Sequence, residues 1–154
     1  MNTAVIFWLQ LLAALLYGGS AGHQWYTVRG HRSRETGLAL WLGAAALLLH
    51  TGAVAGQVLG GNYLNLDLAY ALSLFLWLAV LEFLVASLFL NVHLLGLFLF
   101  PVAGAVLLVE GFSPTGDSLV INVAEPAMLG HLVLSLLAYG TLTMAALQAI
   151  LLWV

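Results

Sequence analysis

The chain has 154 residues, 64% of them hydrophobic and 6% charged, with a mean hydropathy of +1.11. Globular proteins run at about 25% charged residues, so this composition excludes an ordinary water-soluble domain and points to an integral membrane protein. A net charge of −3 is too small to suggest a nucleic-acid partner. The absence of cysteine removes disulfides, thiolate metal sites, thiol nucleophiles and C-x-x-C-H haem attachment.

A membrane-spanning helix needs about 20 mostly apolar residues. Five stretches qualify, at about 4–22, 37–59, 68–90, 93–109 and 126–154. The expected fold is therefore an all-α integral membrane protein, a single transmembrane domain over 1–154. The first stretch has no positive n-region, and no small-x-small site is followed by a soluble chain. It is read as a span rather than a removable signal peptide. All three basic residues, Arg29, Arg32 and Arg34, fall in the first inter-helix loop. The positive-inside rule places that loop in the cytoplasm. The N-terminus and the loops at 60–67 and 110–125 are then outside, and the turn at 91–93 and the C-terminus are inside. His23 and His31 flank the arginine loop and are expected at the headgroups or in solvent. Trp8, Trp25, Trp41 and Trp153 fall near segment ends, where aromatic belts form.

In the second span, Gly43, His50 and Gln57 share one helical stripe at 100° per residue, flanked by Ala46, Leu47, Ala53 and Val54. Gly52, Gly56 and Gly60 lie on roughly the opposite side as a repeated small-x-x-x-small pattern, which suits close helix packing in lipid. The expectation is one face for packing and another with room for something flat beside the imidazole. In the third span, Glu82 is either a proton-path residue or a neutral carboxyl bonded to a neighbour, and the second reading is favoured. Trp77, also mid-span, lines a cofactor or fills space, the latter preferred. In the fourth, Pro101 lies between Gly96 and Gly104 and is expected to kink the helix. His93 opens the turn before it, on the side away from the outer loops.

The fifth span begins Glu125-Pro126, with proline suited to a first helical turn and an acid to the helix N-terminus. His131 shares its face with Ala127, Ser135, Ala138, Leu142 and Ala145, with Tyr139 at the border. At 1.5 Å per residue, His131 lies about 6 Å and His50 about 12 Å below the outer ends of their helices. Two imidazoles in one leaflet are able to hold a metal centre such as haem iron. Each is equally able to bond a neighbouring helix, for about 1 kcal/mol or less, and spacing leaves both readings open.

The segment from Pro126 through Gly130-His131 to Ser135, Tyr139-Gly140 and Leu147 resembles a signature of the cytochrome c assembly (CcsA/CcmC-type) family of haem-handling membrane proteins, nearest its YpjD/HemX-like branch. The run Leu49-His50-Thr51, then Asn65 and Tyr70 to Trp77, looks like the N-terminal half of the same pattern. The resemblance covers about 37 to the end of the chain; the first helix matches only in character. It implies a non-enzymatic role: binding or presenting haem at the outer side of a bacterial inner membrane during cytochrome c maturation. It implies His131 and His50 as axial ligands, with Ser135 and Tyr139 beside the cofactor. Implied partners are membrane lipid and other cytochrome c assembly proteins or the apocytochrome. The family's tryptophan-rich motif is absent, and relatives usually continue through further helices, so the chain is expected to be a shortened member. Two alternatives stand beside this reading. One is a structural or assembly subunit of a larger membrane complex. The other is a small-solute or proton transporter using Glu82 and the Pro101 kink.

Overall fold

The computed structural model describes residues 2–30, 36–58, 63–112, 119–122 and 125–153. It contains five helices long and apolar enough to cross a membrane. In chain order they are α1 (Thr3–Arg29), α2 (Thr36–Val58), α3 (Leu68–Phe89), α4 (Gly96–Phe112) and α5 (Pro126–Trp153). A 3-10 turn, His93–Leu95, leads into α4. His31, Arg32, Arg34, Gly60 and residues 113–118 lie outside the described residues.

Two boundaries differ from the sequence expectation. α1 runs on to Arg29, so His23, Trp25 and the first arginine are helical rather than in a loop. Its extra two turns are amphipathic: Gln24 and Thr27 are buried while Trp25 and Tyr26 are exposed. The Arg29 guanidinium lies 4.2 Å from the Trp25 ring centroid, a cation–π contact that suits an interfacial helix end. α4 runs on to Phe112, which moves Glu110 from the expected loop into the last helical turn. The second difference decides the character of the interior.

The all-α expectation also gains a small exception. Strand β1 (Tyr63–Leu66), between α2 and α3, pairs antiparallel with β2 (Leu119–Asn122), between α4 and α5. The register matches Tyr63 with Asn122 and Leu66 with Leu119. Backbone pairing ties the two connections together at one end of the bundle, the end opposite Arg29. At that end Asp67 caps α3, its carboxyl accepting from the Tyr70 N–H at 2.7 Å.

α1 packs against α2 and α4, and α3 packs against α2, α4 and α5. The shared core is built from Ala13, Tyr17, Ala46, Ala79, Phe83, Phe100 and Leu107, among others. Tyr17 stacks on Phe100 at 5.7 Å, and Phe100 meets Phe83 edge-on at 5.5 Å. Outward faces carry Leu, Phe and Val, as helices bathed in hydrocarbon require. α4 stays helical through Pro101, whose ring is exposed and so displaces no packed neighbour.

α5 is peripheral. Only Gly140 among its residues is buried, and Met144, Leu147 and Leu151 rest on the core from one side. Gly140 meets Glu82 of α3, whose carboxyl also accepts a hydrogen bond from the Thr141 hydroxyl at 3.3 Å. Glu82 thus has a hydrogen-bond partner on the neighbouring helix, at the seam between α3 and α5. Gly140→Leu is expected to push α5 off α3 at a cost of about 1–3 kcal/mol while leaving the α1–α4 core folded. Limited proteolysis in detergent checks this: α5 should become cleavable first. Cleavage of α5 no faster than in the parent protein would count against the seam.

Candidate functional site

The chemistry sits along the buried face of α1. Gln10, Tyr17 and Gln24 recur every seven residues, interleaved with Ser20 and Thr27. A seven-residue step is 700°, only 20° short of two full turns, so these side chains form one stripe. All five are buried. A polar group in hydrocarbon must be bonded internally, and most of these are. The Ser20 hydroxyl donates to the Ala39 carbonyl at 2.6 Å, and that of Thr27 to the Gln24 carbonyl at 2.8 Å. The Gln24 amide donates to the His93 carbonyl. This stripe escaped the sequence reading, although its seven-residue spacing was available there.

His50 projects from α2 onto the middle of the stripe and is fully buried. Its Nδ1 lies 3.4 Å from the Tyr17 hydroxyl and its Nε2 lies 3.1 Å from the Ser73 hydroxyl. Both ring nitrogens are therefore engaged by protein. The small residues beside it also have an occupant: a Cβ at Gly43 would run into the Phe100 ring. Hence the expected flat opening beside His50 is corrected. Glycine and alanine on that stripe admit aromatic side chains of α1 and α4, and this is the tightly packed face of α2. Gly52, on the opposite side, makes only ordinary contact with Leu9.

His131 has different surroundings. It is exposed, as are Ala127, Ala138, Tyr139, Leu142 and Ala145 on or beside the same face, with Ser135 half-buried. Nine residues separate it from Gly140, half a turn out of phase at 100° per residue. Its face is thus the one turned away from α3. The expected cavity shared by His50 and His131 is corrected on these grounds. His50 is enclosed within α1–α3, and His131 stands open on the outer helix.

Other expected residues fall into place around these two. The Trp77 indole donates to the Thr51 hydroxyl at 2.9 Å, so it joins α3 to α2. Trp8, Trp25, Trp41 and Trp153 are all exposed, as interfacial tryptophans should be. Glu110 stands in the last turn of α4 rather than in the expected loop, and it joins the buried polar groups as a site residue that the sequence expectation does not include. Its carboxyl accepts from the Gln57 amide at 2.6 Å, with the Ser73 and Gln10 side chains beside it. The described residues contain no group of three or more His, Cys, Asp or Glu placed to hold a metal ion.

In comparisons with known proteins, no family model, no curated protein and no solved structure matches the chain.

Proposed function

We propose that the protein is a non-enzymatic haem-binding subunit that presents haem at the outer side of a bacterial inner membrane during cytochrome c assembly, with His131 as its ligand. The observation that carries this reading is the open imidazole of His131 on an uncovered face of α5 that also carries Ala127, Ala138 and Ala145. It lies in the segment, 126–147, on which the resemblance to the cytochrome c assembly family rests most strongly. Ala127, Ala138 and Ala145 leave the helix surface low enough for a flat ring to approach. His131 would hold haem through the lone pair of its neutral imidazole, and the haem would be the group presented. The residues present fit a group held at one point, because His50 has both nitrogens engaged. Membrane lipid covers the apolar exterior, and other assembly proteins or the apocytochrome are the partners this role requires. The outer placement is supported by the positive-inside rule applied to the chain's three basic residues, all within positions 29–34 of the sequence.

Haem titration of the detergent-purified protein tests the proposal. A Soret band is expected that disappears in His131→Ala and persists in His50→Gln. Acidification should weaken it, since protonated imidazole does not coordinate iron. An unchanged band in His131→Ala would eliminate the ligand assignment.

A second reading, a structural subunit of a larger membrane complex, is favoured by one observation. The best window of α5 is 6% buried, against 33–39% for the other four helices. A helix so little covered has a face to offer another transmembrane segment. Absence of any haem spectrum, together with co-purification of a stoichiometric membrane partner, would select this reading.

A further inference from the structure

We propose that Glu82 is a proton-binding site at the seam between α3 and α5, and that its proton holds α5 against the bundle. Glu82 stands seven residues before the end of α3, about 10 Å inside the span at 1.5 Å per residue. An acid at such a depth needs a partner. α2, α3, α4 and α5 contain no lysine or arginine, so the helices packed around α3 bring no such cation to it. What meets the carboxyl is backbone. A Cβ added at Gly140 would come 2.7 Å from Oε2 and 3.2 Å from Oε1. Gly140 is also the one buried residue among those described in α5. The helix is thus most tightly held where the carboxyl touches it.

Counting hydrogens distinguishes the two forms of the acid. The Thr141 hydroxyl lies 3.3 Å from Glu82 Oε2 and 2.9 Å from the Leu137 carbonyl oxygen. A hydroxyl has one hydrogen to donate and lone pairs with which to accept. Beside a carboxylate, both neighbours of Thr141 are acceptors, and one hydrogen has to serve two. Beside a neutral acid, the Glu82 O–H donates to Thr141 Oγ1, whose own hydrogen stays on Leu137. Both contacts are then satisfied. Glu82 Oε1 agrees with this, because it is buried without a protein partner. A bare carbonyl oxygen in hydrocarbon costs far less than half the charge of a carboxylate. The docked seam therefore fits the protonated acid.

Loss of that proton leaves a charge wedged between two helices, and the charge is relieved when α5 gives way and water reaches the carboxylate. α5 is the helix able to move, since it touches the core from one side only. β1 holds the strand that precedes α5, so the end at Trp153 moves most. The docked state binds one proton more than the open state. Docking therefore strengthens as pH falls and weakens as pH rises. Other titratable groups on the elements packed around α3 lie apart from the seam. His50 of α2 is engaged by Tyr17 and by Ser73, nine residues back along α3, and Glu110 is at the opposite end of α4. His131 and Tyr139 are exposed on α5. His93 opens the turn that also touches α5, and its Nδ1 is buried without a partner. α5 carries His131, but the latch stands on the seam alone, whatever that histidine holds.

The experiment measures the α3–α5 distance by double electron–electron resonance on the full chain in nanodiscs. The chain has no cysteine, so Phe89→Cys and Trp153→Cys carry the spin labels. Both positions are exposed, at the ends of α3 and α5 away from the β-sheet. From about pH 5 to about pH 9 the ratio of docked to open protein is expected to fall about tenfold or more, as release of one linked proton allows. Glu82→Gln does not ionise and keeps a donor for Thr141, so it should hold the short distance throughout. The infrared carbonyl band of a protonated acid, present in the labelled parent at the acid end, should be reduced in that variant. A distance distribution unchanged with pH in the parent would overturn the latch. So would a response of equal size in Glu82→Gln, which would place the titrating group elsewhere, at His93 first.

Discussion

Replacing His50 by alanine is expected to destabilise the bundle by about 2–5 kcal/mol, the range for emptying a large buried side chain. His50 is fully buried between α1 and α3, and its ring fills the space between Tyr17 and Ser73. Truncation opens a cavity and also strands two hydroxyls in hydrocarbon. The cavity should dominate, because hydrogen bonds between membrane helices average only about 0.6 kcal/mol by double-mutant cycles. His50→Phe separates the two contributions: it restores most of the ring volume without the nitrogens, and should recover more than half the loss. His131→Ala is the control. An exposed side chain away from special contacts changes stability by about 0.5 kcal/mol or less. SDS-induced unfolding in mixed micelles, read by tryptophan fluorescence, measures all three. Equal losses at His50 and His131 would show that His50 is not built into the core as described. The contrast also bears on function: loss of haem binding in His50→Ala alone would report unfolding as readily as coordination, so His50→Gln is the cleaner probe.

Hydropathy was enough to find five spans, because a helix in lipid must be apolar over its whole length whatever its neighbours are. It was blind to where those helices touch. Along α2 the sequence showed two small-residue faces, and the small-x-x-x-small pattern pointed to the Gly52 face as the one that receives a partner. The answer lies in Phe100, about fifty residues away, whose ring occupies the space at Gly43. The assignment of Glu110 to a loop failed for a related reason. A charged residue near the end of an apolar run reads as the edge of the membrane, whereas Gln57, Ser73 and Gln10 converge on it from three other helices. The polar stripe of α1 was legible in principle, since Gln10, Tyr17 and Gln24 keep a seven-residue step. For His131 the helical phase was legible from spacing alone, and only the packing of α5 shows that this face is open.

Gly104 is expected to resist substitution because the group it meets is backbone. It is buried on α4, and a Cβ added there would come 3.2 Å from the Ala14 carbonyl oxygen of α1. That oxygen belongs to helical backbone and has no rotamer to escape into. A substitution must therefore move one helix against the other. Gly104→Val should cost about 1–3 kcal/mol by overpacking. Separating α1 from α4 also loosens Gln10 from Glu110 and the Tyr17–Phe100 stack. Gly18 and Gly22 give the comparison, since they form a Gly-x-x-x-Gly pair on α1 that sequence inspection would rank as the stronger packing motif. Both are exposed, and a Cβ at either meets nothing within 4 Å. Alanine at Gly22 should be neutral or stabilising by up to about 1 kcal/mol, from the smaller backbone entropy lost on forming the helix. Unfolding of the two variants in the same micelles decides the matter. If Gly22→Ala proves the more damaging, the close approach of α1 lies on its other face, and the α1–α4 contact at Gly104 is not the one holding the bundle together.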